Sequence, residues 1–141
     1  MTIPSAIVAK METCRPYYDR LLALQPEVAK APLDDWRLWG TVERNLQLAL
    51  ECAIDVGEMV ISWQRWELAQ ENRDVFRILR DRGVLSADLA ERMMSAAGLR
   101  NALVHRYGVI DLQRVRRAVL TDLSDIDAYA REIATFLRRA P

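Results

Sequence analysis

The side chains best suited to chemistry lie close together late in the chain. Arg100 is followed directly by Asn101, then by His105, the only histidine, and by Tyr107. Imidazole exchanges protons near neutral pH, and a guanidinium binds phosphate through paired N–H donors. An arginine that stabilises a pentavalent phosphate, beside a histidine that moves a proton, is sufficient for metal-free RNA cleavage with the ribose 2′-hydroxyl as nucleophile.

Helix geometry limits how these side chains can meet. Asn101 and His105 lie about 40° and 6 Å apart, so the amide could orient the imidazole. Arg100 is about 140° from His105 on a regular helix, so the two converge only through the reach of the arginine or a loosened last turn before Gly108. A second interpretation stays open, in which His105 is a helix-terminal residue whose charge is favoured by the C-terminal dipole.

Length and composition predict one all-α domain spanning residues 1–141, because 141 residues can bury a genuine core and half of them are apolar, with few glycines and prolines. No leader pattern or apolar run of about 18 residues is present, so we expect a soluble, cytoplasmic protein without membrane association. Cys14 and Cys52 are far apart and only one histidine is available. We therefore expect two ordinary buried thiols, no metal site and no cofactor.

Charge is balanced overall but unevenly distributed. Twenty basic and twenty acidic residues argue against nonspecific coating of nucleic acid. From Arg100 to Arg117, however, five arginines meet a single acid, Asp111: Arg100, Arg106, Arg114, Arg116 and Arg117. These arginines, including Arg106, could contact an RNA backbone or form a solvated helix face.

Apolar spacing predicts five helices. The first carries a stripe from Ile3 to Leu21, and Pro26 and Pro32 bracket the connection after it. The second runs from an N-cap at Asp34 to about Trp66 and is apolar around much of its circumference, so it is central or shared with another subunit. The remaining helices cover residues 73–82, a segment beginning at Ser86, and a segment capped by Asp111.

Arg100 falls on the apolar stripe of the fourth helix, where an unpaired charge is costly, so it needs a partner or a cleft. Asp55, in an apolar stretch of the second helix, could hold Arg100 or His105, or pair with any nearby arginine. Asn101 suits positioning because an amide does not exchange protons usefully. Four tryptophans in two pairs could stack bases but are more typical of a core or subunit interface: Trp36, Trp39, Trp63 and Trp66.

The run from Gly98 to Tyr107 resembles the signature of the HEPN superfamily, specifically its HepT branch. In that signature four residues separate an Arg from a His, one residue separates the His from a Tyr, and the Arg is usually followed by Asn. The resemblance extends to Glu43–Glu51, Ile54–Gly57 and Phe76–Leu79, and covers roughly residues 42–137. It implies an antiparallel bundle of about five helices that forms homodimers with the two motifs facing a shared groove.

The resemblance also implies a function. HepT proteins are metal-independent ribonuclease toxins, in which Arg100 and His105 would be the catalytic pair. Their partner is an MntA-like nucleotidyltransferase antitoxin, which would neutralise the toxin by transferring AMP to the residue matching Tyr107. A second hypothesis is a noncatalytic HEPN subunit that binds nucleotide or docks a nucleotidyltransferase through an anion pocket at Arg100. The intact Arg, His and Tyr favour the ribonuclease.

Overall fold

Helices are the regular elements of the computed structural model, which describes residues 4–105 and 110–140. They are α1 (Ser5–Lys30), α2 (Trp36–Trp63), α3 (Asn72–Asp81), α4 (Ala87–Val104), α5 (Leu112–Arg117), a π-helical turn (Ala118–Asp122) and α6 (Leu123–Arg139). Because α5, the π turn and α6 follow without a break, the described chain forms five rods. The all-α prediction is confirmed. None of these helices combines the length and apolar character of a membrane span.

Helix α1 is longer than the sequence predicts. It continues through Pro16 and Pro26 to Lys30, so the expected connection at Pro26 is wrong. A proline removes one backbone hydrogen bond and normally breaks a helix. Here Leu21 and Val28 on either side are fully buried, and the Gln25 side chain donates to the Val119 carbonyl at 2.9 Å. Packing against the rest of the molecule therefore keeps the last turns of α1 helical.

Helix α2 is the central element of the described chain. It begins one residue later than expected, because Asp35 rather than Asp34 accepts the capping bond from the Leu38 N–H at 3.3 Å. Its broad apolar circumference is covered by α1, α3, α4 and α6. The chain itself thus accounts for most of the surface that the sequence left open to a second subunit.

The last two predicted helices begin where expected. Ser86 precedes α4, and the Asp111 side chain caps α5 by accepting from the backbone N–H groups of Gln113 and Arg114. After the π turn, Leu123, Tyr129 and Ile133 are buried on α6.

Buried apolar residues form two cores that share α2 and α4. The first core surrounds Phe76, and the second surrounds Trp39. The C-terminal half of α2 meets the N-terminal half of α4 in the first core, whereas Leu46 of α2 meets Leu99 and Leu103 of α4 in the second. Helices α2 and α4 are therefore antiparallel, and the N-terminal half of α2 lies beside the C-terminal end of α4.

A disulfide joins Cys14 of α1 to Cys52 of α2, with their Cα atoms 5.9 Å apart. The prediction of two ordinary buried thiols is therefore wrong. Both cysteines are only partly buried, at the α1–α2 contact. Their 38-residue separation does not reveal that the two helices bring these side chains face to face.

Candidate active site

Arg100 has the partner that its place on an apolar stripe demands. Its Nη2 donates to Oε1 of Glu51 at 3.1 Å, which links α4 to α2. The two side chains are 22% and 29% exposed, so water screens this ion pair only partly. Arg100 Nε is buried without a hydrogen-bond partner among the described residues. The guanidinium is thus held through Nη2 by Glu51 and remains partly exposed.

Polar side chains from three helices surround this ion pair. Arg100 Nη1 donates to Asn101 Oδ1 at 3.3 Å, and the Asn72 amide of α3 donates to the same oxygen at 3.2 Å. On α2, Gln47 Nε2 donates to Glu51 Oε1 at 3.1 Å. Asn101 therefore holds Arg100, and it makes no side-chain hydrogen bond to His105 within the described ranges. The orienting contact expected between the amide and the imidazole is absent there.

His105 ends α4 as its C-cap residue, and its backbone N–H donates to the Asn101 carbonyl at 2.8 Å. Its side chain is exposed. The helix is regular as far as Val104, so Arg100 and His105 lie on different sides of its last turn. A substrate that reaches both residues would approach the end of α4. Tyr107 and Arg106 lie outside the described residues, and their proposed roles stay predictions.

Asp55 lies elsewhere. Its carboxylate pairs with Lys10 of α1 at 3.3 Å, and this pair is 35% and 49% exposed. The suggestion that Asp55 holds Arg100 or His105 is therefore wrong, as is its alternative of an arginine partner. Glu51, one turn earlier on α2, makes the contact with Arg100. The relative register of α2 and α4 decides between these two acids.

Sequence reasoning missed Glu51 and Asn72. Glu51 lies within the run that carries the family resemblance, but nothing in its spacing marks it above Asp55. A polar group around Asn72 is typical of a helix start, and Glu71 and Asp74 do form one, with the Glu71 N–H donating to Asp74 Oδ2 at 3.3 Å. Asn72 is the member that instead reaches across to Asn101.

The other described arginines of the late cluster have separate roles. Arg116 donates to the Ala31 carbonyl and stacks over Trp39, so it is structural. Arg114 and Arg117 line a cavity of about 400 Å³ between α4 and the α5–α6 rod. Two carboxylates, Asp122 and Asp125, line it too. Burial raises the pKa of Asp122, and the nearby charge of Asp125 raises it further. The charges of Arg117 and Arg92 lower the same pKa. The cavity is therefore mixed in charge.

Comparisons with known proteins agree with this fold. A model of the HepT-like family, described as ribonuclease HepT-like, matches residues 15–133. The tRNA nuclease HepT of Aphanizomenon flos-aquae is 29% identical over 95% of this chain and 91% of its own. The mRNA nuclease HepT of Shewanella oneidensis is 30% identical over 67% of this chain and 71% of its own.

Solved structures give the same result. A crystal structure of a mutant of the MntA–HpeT toxin–antitoxin matches with a TM-score of 0.83 at 25% identity, over 92% of this chain and 98% of that one. A tri-AMPylated HEPN toxin of Shewanella oneidensis in complex with an MNT antitoxin matches with a TM-score of 0.77 at 25% identity, over 92% and 96%. The architecture is thus that of HEPN toxins. Within this class the chain belongs to the HepT-like ribonuclease family.

Proposed function

We propose that this protein is the toxin of a toxin–antitoxin pair and acts as a metal-independent endoribonuclease. The observation that carries the proposal is Arg100, held partly exposed by Glu51 and Asn101 on the helix that ends at His105. The names of the relatives as tRNA and mRNA nucleases support RNA as the substrate. A side chain fixed in advance loses little freedom when it binds a phosphate, which favours catalysis.

The proposed reaction follows from the two side chains. His105 takes the proton of a ribose 2′-hydroxyl while the 2′-oxygen attacks the adjacent phosphorus. Arg100 stabilises the charge on the pentavalent phosphate. The bond from phosphorus to the 5′-oxygen breaks, that oxygen takes up a proton, and a 2′,3′-cyclic phosphate remains. DNA lacks the attacking hydroxyl and is not a substrate.

The proposed regulation acts at Tyr107. A nucleotidyltransferase antitoxin of the MntA type would transfer AMP to the phenol, as the tri-AMPylated state of the Shewanella oneidensis toxin suggests. Each phosphodiester adds negative charge two residues beyond His105, and this charge would compete with an RNA phosphate for Arg100. We also propose a homodimer. This proposal rests on the family resemblance alone, since the apolar faces of α2 are covered by other helices of the described chain.

The first experiment measures cleavage of total cellular RNA by the purified protein in EDTA, beside His105→Ala. EDTA silences contaminating metal-dependent nucleases. We expect cleavage that requires His105 and leaves cyclic phosphate ends, while circular dichroism shows an unchanged fold. Cleavage by a well-folded His105→Ala protein would contradict the catalytic role of the histidine.

The second experiment tests the modification. After incubation with ATP and the cognate antitoxin, intact-mass analysis should show AMP-sized additions that vanish in Tyr107→Phe. Additions that persist in this variant would assign the acceptor to another residue. An unmodified protein that cleaves no RNA would instead support a noncatalytic subunit, whose nucleotide binding should depend on Arg100.

A further inference from the structure

One face of α2 leads from the candidate active site to the beginning of the helix. We call it the α2 strip, and it consists of six residues: Trp36, Arg37, Gly40, Arg44, Gln47 and Glu51. At 100° per residue all six lie within about 100° of each other, and at 1.5 Å per residue the strip is about 22 Å long. Each member is exposed or partly exposed. Glu51 binds Arg100 at one end, so the strip is continuous with the site.

Trp36 marks the far end of the strip. It is 73% exposed, whereas Trp39, one turn later, is 2% exposed and belongs to the second core. Of the two expected positions for the tryptophans, a core or a subunit interface, the core is wrong for Trp36 and the interface stays a prediction. The guanidinium of Arg37 lies 5.1 Å from the centre of its ring. An exposed indole beside a cation is the combination on which a nucleic-acid base stacks next to a phosphate.

A shallow groove of about 540 Å³ runs beside Trp36, between Arg37 and Arg44. Its floor is open at Gly40, where an added Cβ atom would meet nothing within 4 Å. Asn45 forms one wall and is fixed by its own bond to the Thr41 carbonyl and by Arg20, which donates to its Oδ1 at 3.4 Å. Two arginines and one exposed aromatic ring thus line the same groove.

The cations of the groove are not neutralised locally. No carboxylate in residues 4–105 or 110–140 forms an ion pair with Arg20, Arg37 or Arg44, although nine ion pairs link other described side chains. The overall charge of the chain is zero. Arg37 and Arg44, which line the groove, and Arg20, which binds its wall at Asn45, thus lack a carboxylate partner within the described ranges, and they complement a chain of phosphates.

We propose that the α2 strip binds single-stranded RNA that flanks the scissile phosphate. A base stacks on Trp36, phosphates contact Arg37 and Arg44, and the strand continues along α2 to Arg100 and His105. This inference rests on the proposed ribonuclease function. It adds a second contact region, which would make a longer RNA strand a better ligand than a short one.

The test measures binding of a fluorescein-labelled single-stranded RNA of about twelve nucleotides by anisotropy, in a His105→Ala background that leaves the RNA intact. Trp36→Ala removes the stacking surface, and Gly40→Glu fills the groove and adds a negative charge. We expect Trp36→Ala to raise Kd by roughly tenfold or more, from the usual strength of a base–aromatic stack. Gly40→Glu should also raise Kd, because its carboxylate occupies the groove and repels phosphate. Arg44→Ala removes one phosphate contact, so it should reduce the slope of log Kd against log salt concentration by about 1.

Two controls match these variants. Gly40→Ala occupies the same position with a methyl group that meets no protein neighbour, so it should leave the fold intact and raise Kd far less than Gly40→Glu. Leu68→Ala removes another large exposed side chain, 76% exposed and remote from the strip in sequence, and should have no effect on Kd. Thermal unfolding of all variants checks that the fold is intact.

Cleavage assays with strip variants that retain His105 distinguish this inference from the ribonuclease function on which it rests. Trp36→Ala should raise KM for a long RNA and leave the rate on a dinucleotide unchanged. If every strip variant binds and cleaves long RNA as the parent does, the strip inference is wrong and the ribonuclease proposal stands. If the parent neither binds nor cleaves RNA, both fail. If Gly40→Glu changes the particle mass in light scattering, the face is a contact between protein chains and the inference is also overturned.

Discussion

Replacing Glu51 by Gln tests whether the ion pair with Arg100 organises the site. The substitution removes the carboxylate charge but keeps the volume and one acceptor oxygen. Exposed ion pairs contribute about 0.2–1 kcal/mol, and breaking a fully buried pair costs about 3–5 kcal/mol. At 22% and 29% exposure, the pair lies between these cases. We expect Glu51→Gln to lower the free energy of unfolding by about 1–2 kcal/mol, measured by urea denaturation.

Asp55→Asn is the matched control. It removes a carboxylate from the next turn of the same helix, but its partner Lys10 and Asp55 itself are more exposed, at 35% and 49%. Its effect on stability should stay below about 1 kcal/mol and should shrink in high salt. RNA cleavage should be unchanged in Asp55→Asn. In Glu51→Gln we expect a loss of about 10- to 100-fold, because a misplaced catalytic group sacrifices much of its effect.

A double-mutant cycle with Arg100→Gln isolates the interaction itself. The two single substitutions should be non-additive by about 1 kcal/mol or more, as expected for side chains in direct contact. Additivity within about 0.3 kcal/mol, or equal losses of activity in Glu51→Gln and Asp55→Asn, would refute the reasoning.

Three further predictions concern stability. Cys14→Ser combined with Cys52→Ser should lower the free energy of unfolding by about 4 kcal/mol, since the disulfide closes a 38-residue loop, and an unchanged urea midpoint would argue against the crosslink. Tyr129→Phe removes the donor to the Ala53 carbonyl at 2.7 Å and should cost about 1–3 kcal/mol. Burial also raises the pKa of Tyr129 above its ordinary 10.0, so its contribution is complete below pH 10 and falls above it, a slope that Tyr129→Phe should lack in alkaline denaturation. Gly57→Ala should cost about 1–3 kcal/mol, because a Cβ atom there would lie 2.4 Å from Val75 Cγ1, whereas Gly40→Ala should not destabilise the protein in the same thermal assay.

Local signals in the sequence predicted most of the fold. Apolar spacing identified the helices, and Ser86 and Asp111 precede α4 and α5 as expected. Proline was a misleading signal at Pro26, because its local cost is smaller than the packing gained on both sides. The π turn could not be predicted either, since nothing in the composition of Ala118–Asp122 marks it.

The site was predictable in part. The position of Arg100 on an apolar stripe correctly required a partner, but the identity of that partner depends on how α2 and α4 align. Glu51 and Asp55 are four residues apart and face nearly the same way on α2. The pairing of Cys14 with Cys52 and the exposure of Trp36 likewise follow from the arrangement of whole helices.

The division into two cores has a consequence for the motions of the protein. On α2 the second core ends at Leu50 and the first begins at Ala53, and on α4 the change falls between Ala97 and Leu99. The contact between Glu51 and Arg100 lies at this seam. Helices that cross a seam can separate on one side while the other stays folded. Partial opening of the second core alone would therefore uncouple Arg100 from Glu51. In amide hydrogen exchange, the C-terminal end of α4 should then be less protected than α3, the helix that contains Phe76.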